Sequence, residues 1–147
     1  KNQRIVAMLL PASSFGTASD NTKTSTTSSS FQTRITATYT ALAADHLVIS
    51  SAWTEGSTAN LSVGTRLTAG GSLMLDAGAM APNAGTDDVE CGLFAVDAGV
   101  SAGSRSWTLD WKSDGTNTGR IMSARLISMA LSSMTEPTAA LRRSASI

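Results

Sequence analysis

The chain of 147 residues is poor in the groups that do chemistry: it has one cysteine, one histidine, three prolines and only 15% charged residues. A single cysteine, Cys91, allows no disulfide within the chain and excludes a small disulfide-held scaffold. It lies in an apolar stretch, residues 89–96, and reads as a buried, unreactive thiol. One histidine and one cysteine cannot build a metal site rich in either. Lysine is confined to Lys1, Lys23 and Lys112. The 11 Asp+Glu balance the 11 Lys+Arg, so the formal net charge is zero. A neutral chain has no overall field to draw nucleic acid or an anionic membrane, and neither is expected as a partner. No apolar run approaches the ~20 residues of a membrane helix. The stretch that starts at Lys1 carries no signal-peptide pattern.

What the chain does have is Ser and Thr, together roughly a quarter of its residues. These uncharged groups supply solubility, with Thr favouring strands and Ser and Gly favouring turns. Alternating apolar and polar residues mark strands over residues 31–40, 46–54, 61–68 and 106–112. In the clearest, 106–112, Trp107, Leu109 and Trp111 point one way and Ser106, Thr108, Asp110 and Lys112 the other. In 46–54, Leu47, Ile49 and Trp53 are expected to face the core. Gly70-Gly71 predicts a hairpin turn into a short strand at 72–77, and 89–96 reads as a further apolar strand. Residues 12–30 are Ser/Thr-rich and read as a long loop or extended arm anchored by Phe15. Residues 132–147 read as a polar tail. The count is about eight short strands at turn spacings of roughly 8–12 residues, which predicts a single all-β domain over residues 1–131: an antiparallel two-sheet sandwich.

Catalytic candidates are few. His46 opens a strand after Asp45, no G-x-S-x-G elbow accompanies it, and it reads as a strand-edge residue. Asp87, Asp88 and Glu90, and separately Asp114, could offer oxygen ligands to Ca²⁺, but neither group has calcium-loop spacing and both read as solvated turn acids. No catalytic residue, cofactor or metal is therefore expected, and the chain is not expected to be an enzyme. Trp107 and Trp111 are four residues apart on one strand face; core packing is the favoured reading, and a platform for stacking a surface glycan is the alternative. Arg66, Arg120, Arg125, Arg142 and Arg143 are scattered, which suits ordinary surface solvation.

Two strands break the alternation. Residues 4–10 (RIVAMLL) and 120–131 (RIMSARLISMAL) are apolar on both faces. A sandwich strand in a monomer should be polar outside, so an apolar outer face predicts cover by another subunit. The two strands are expected to pair side by side in a homo-oligomer interface that includes Ile5, Val6, Met8, Leu10, Met122, Leu126, Ile127 and Met129.

Residues 46–72 (HLVISSAWTEGSTANLSVGTRLTAGGS) and 104–131 (SRSWTLDWKSDGTNTGRIMSARLISMAL) carry a resemblance. In texture and strand order, residues 31–131 resemble the jelly-roll domains of tailed-bacteriophage virion proteins. Those domains are similar in shape to the trimeric tumour-necrosis-factor and complement-C1q jelly rolls. The resemblance carries no functional residue across. It implies a structural role in a virion, as a head decoration or cement protein or a tail-associated module. It also implies a trimer and contact with other virion proteins such as the major capsid protein. A tail-associated receptor- or carbohydrate-binding module is the alternative.

Overall fold

The computed structural model describes residues 15–58, 61–80 and 88–133. They form nine strands: β1 (Phe15–Asp20), β2 (Thr24–Thr26), β3 (Gln32–Ala41), β4 (Ala44–Gly56), β5 (Val63–Ala69), β6 (Ser72–Met80), β7 (Val89–Val100), β8 (Gly103–Lys112) and β9 (Gly119–Ala130). A 3-10 turn, Leu131–Ser133, follows. Every pairing is antiparallel. One sheet runs β1-β9-β4-β7, with β2 continuing along the same edge of β9 as β1; the other runs β3-β8-β5-β6. The two sheets enclose one apolar core and make a jelly-roll β-sandwich.

The alternating strands at 31–40, 61–68 and 106–112 sit as their pattern predicts. Trp107, Leu109 and Trp111 of β8 and Val63 and Leu67 of β5 are fully buried. Gly70 and Gly71 turn the chain between β5 and β6 with φ of 54° and 84°, two left-handed residues that favour glycine.

Four expectations change. Within the stretch read as a long loop or extended arm, residues 15–20 and 24–26 form β1 and β2, which hydrogen-bond along β9. The inward positions of β1 are Gly16 and Ala18, and Tyr39 lies beneath Gly16. A Cβ on Gly16 would meet the Tyr39 ring at 2.3 Å. Second, the described partners of β9 are β1 and β2 on one edge and β4 on the other, and the expected pairing with residues 4–10 is not among them. That segment, with Ile5, Val6, Met8 and Leu10, lies outside the described residues.

Third, β9 does not keep one phase. Between the pairs Ser51↔Arg125 and Trp53↔Met122 it spends one residue more than β4, and Ser123 sits at φ 50°. This is a bulge, which re-aims the side chains beyond it. Ile121 is buried before it; Ala124, Leu126 and Ala130 are buried after it. Leu126 is therefore core, not interface. Fourth, β4 is turned over relative to expectation. His46, Val48, Ala52 and Thr54 are its buried set, while Leu47, Ile49 and Trp53 face outward.

Candidate functional site

The titratable groups are held by structural partners. His46 is fully buried between the sheets. Its Nε2 donates to the Leu42 carbonyl at 3.1 Å, so Nδ1 accepts from the Tyr39 hydroxyl at 2.7 Å. Trp107 stacks on both rings, with centroids 5.2 Å from Tyr39 and 5.3 Å from His46. The Trp107 indole donates to Asp97 at 2.9 Å, and Arg105 pairs with the same carboxylate at 3.0 Å. This cluster is a polar plug in the core, with no free nitrogen for proton transfer. Burial pushes the Cys91 thiol above its usual range, opposed by a hydrogen bond from Thr65. That keeps it protonated and unreactive. Asp114 accepts from the Asn117 amide and side chain and from Thr116 N, which hold its carboxyl below the usual range. It closes its own turn.

Trp107 and Trp111 are 0% and 1% exposed, so they form no platform for a sugar. Trp53, assigned to the core from its alternation, is the tryptophan that reaches the surface.

The feature that stands out is the outer face of the β1-β9-β4-β7 sheet. Strand register sets its side chains in rows across the strands. The first row is Phe15, Met129, Leu47 and Val96. The second is Thr17, Ile127, Ile49 and Phe94. The third turns polar, with Ser19, Arg125, Ser51 and Gly92, and the fourth holds Met122, Trp53 and Glu90. Phe94 is 75% exposed, Val96 53%, Trp53 40%, Ile49 39% and Ile127 37%. The first two rows hold no charged residue. Of the interface residues expected from the sequence, Met122, Ile127 and Met129 lie on this face. Phe94 and Val96 were legible in principle: residues 93–96 (LFAV) are apolar on both alternate sets, the same two-sided signal that marked 120–131.

The far end of the same face is ionic. Glu55 takes both Arg120 and Lys23, and these cations hold its carboxyl below the usual range against the cost of burial. Lys23 lies between β1 and β2, so the pair ties that segment to β4. Arg34 of β3 makes a second tie, to Asp20 at 3.0 Å and to the Thr24 hydroxyl at 2.7 Å. The edge of the apolar face is thus pinned in place.

Neither a protein family nor a curated protein matches the sequence. Solved structures do. The chain is similar to the VP2 subviral particle of infectious bursal disease virus, with TM-score 0.53 and 11% identity, over 90% of this chain and 36% of that one. It is similar to the Gx strain of the same virus, with TM-score 0.51 and 12% identity, over 86% and 36%. Dimeric latent PorU from Porphyromonas gingivalis gives TM-score 0.51 and 9% identity, over 84% and 13%. The chain spans about a third of the viral chains and less of PorU. At such identity the likeness is one of fold, and that fold is the jelly-roll β-sandwich.

Proposed function

We propose that this chain is a non-enzymatic structural protein of a virion, a capsid decoration or cement protein of a tailed bacteriophage, that works by contact. One observation carries the reading: a sandwich whose interior is already filled leaves an apolar sheet face outside. An uncovered patch of that kind belongs to a protein whose task is to be covered. The jelly-roll fold, held in common with a viral capsid protein, supports the setting. The buried partners of His46 and Cys91 support contact over chemistry. The partner on the particle would be a shell protein such as the major capsid protein.

The test is a particle reconstruction with and without the chain. The expected result is density for the sandwich on the shell, and particles that lose heat stability without it. Absence of the chain from purified particles would overturn the reading. One observation favours a second reading, a carbohydrate-binding module at a tail: Trp53 presents a partly open ring beside Met122 and Glu90. Glycan-array binding that is lost in Trp53→Ala with the fold retained would select it.

A further inference from the structure

We infer that the occupant of the apolar rows is another copy of this chain. The inference deepens the contact reading above by naming the partner of that face. Phe94, Val96, Ile49 and Ile127, with the half-buried Phe15, Leu47 and Met129 beside them, offer roughly 500 Å² of apolar surface. That lies in the upper part of the 300–600 Å² or so that a monomer leaves in one patch. A stable pair of proteins buries about 800 Å² on each partner. The polar fringe of Thr17, Ser19, Arg125, Ser51 and Gly92, continuous with the rows, brings the face to that size, with the charged Arg125 in the fringe row. A single added peptide strand would cover one or two rows and leave the remainder wet.

Charge points the same way. A second copy approaching this face meets no long-range repulsion, because the formal net charge is zero. The first two rows carry no charge, so setting them against the same rows of a copy buries none. Arg125 and Glu90 lie beyond the apolar rows, where a polar rim belongs. Packing one sheet face on another at about 10 Å is how this domain already joins its own two sheets, and the outer rows repeat that arrangement between copies.

The experiment is sedimentation equilibrium on the full chain across the micromolar range, with Phe94→Asp, Ile127→Asp and, on the opposite sheet, Thr38→Asp. The expected result is a mass of two or three chains for the parent and for Thr38→Asp. Phe94→Asp and Ile127→Asp should each weaken association about a hundredfold or more while keeping the parent's far-ultraviolet spectrum. A parent that stays at the mass of one chain, or face variants that associate as the parent does, would overturn the inference. So would a monomeric parent that begins to associate when residues 1–14 are deleted, since that outcome makes the chain's own start the occupant. The contact reading fails separately. A monomeric chain found on particles overturns this inference and leaves that reading; an oligomer absent from particles does the reverse.

Discussion

The outer faces of the two sheets are built from the same alternation and end in opposite states. On the β3-β8-β5-β6 sheet the outward residues are Thr36, Thr38 and Thr40, with Ser104, Ser106 and Thr108 beside them in register. Their hydroxyls pair with one another: Thr38 with Ser106 at 2.7 Å, and Thr108 with Thr68 at 2.6 Å. Asp110 takes Thr33 at 2.9 Å, Thr108 at 3.0 Å and Arg66 at 3.0 Å. Phe31 lies under Arg66 and Lys112, with the cations 4.2 Å and 4.6 Å from its centroid. The outward residues of β3 and β8 are thus paired within one chain, and Leu73 of β6, 60% exposed, is the apolar exception on this face. The other sheet sets Phe94, Val96, Ile49 and Ile127 in the same outward positions, where no described residue covers them. The comparison separates what a strand face needs to fold from what it needs to be finished. Inner rows made both sheets fold; only one outer face pairs most of its outward residues with one another.

The largest effect should come from the core that both faces share. Trp107→Ala removes the ring stacked on Tyr39 and His46 and leaves the Asp97 carboxylate without its indole donor. Urea unfolding should show a loss of about 3–5 kcal/mol. A loss below about 1 kcal/mol would mean that Trp107 is a surface platform and that the sheets are not packed as described. On the hydroxyl face, Asp110→Ala removes a buried carboxylate and leaves its three donors, Thr33, Thr108 and Arg66, without their acceptor. It should cost about 1–3 kcal/mol by the same assay and leave association unchanged.

The pH dependence belongs to the ionic end of the apolar face. The Glu55 carboxyl is held below its ordinary value of 4.5 by Lys23, with Arg120 adding to it. A group with a depressed folded pKa gives stability that is present above the unfolded value and lost as pH falls through the folded one. Midpoints of thermal unfolding should therefore fall as pH drops below about 4.5, and Glu55→Gln should flatten that slope. A Glu55→Gln profile identical to the parent's would remove the tie. The smallest effect is expected for Thr36→Ala, an exposed outward residue of the hydroxyl face. Stability should move by no more than about 0.5 kcal/mol, and the associated mass should not move at all.

The fold was legible wherever polarity and packing agreed. Strand β8 shows this: its tryptophans alternate with Ser106, Thr108 and Lys112 and point where the pattern says. The reading failed where polar residues are satisfied inside. In β4 the buried set includes His46 and Thr54, held by Tyr39, Leu42 and the Val89 carbonyl, so the apolar set Leu47, Ile49 and Trp53 looked like the inward one. In β1 the inward positions are the small Gly16 and Ala18, with Tyr39 beneath Gly16, so no hydrophobic rhythm remained to be seen. In β9 the bulge at Ser123 moved Leu126 from the expected interface into the core. The contact face itself was half visible. Two-sided apolar strands announced it and named Ile127 and Met129, but its centre on β4 and β7 needed the true phase of β4.

Thiol labelling across the two faces puts the central claim to its most direct test. Thr17 and Thr38 are exposed threonines on the outer faces of opposite sheets, and the native Cys91 is buried and silent. Thr17→Cys and Thr38→Cys can be labelled at low and high protein concentration. Thr38→Cys should react at one rate throughout, whereas Thr17→Cys should react as fast when dilute and become protected as the chain associates. Equal rates for both at every concentration would show that the apolar face is not a contact surface between copies.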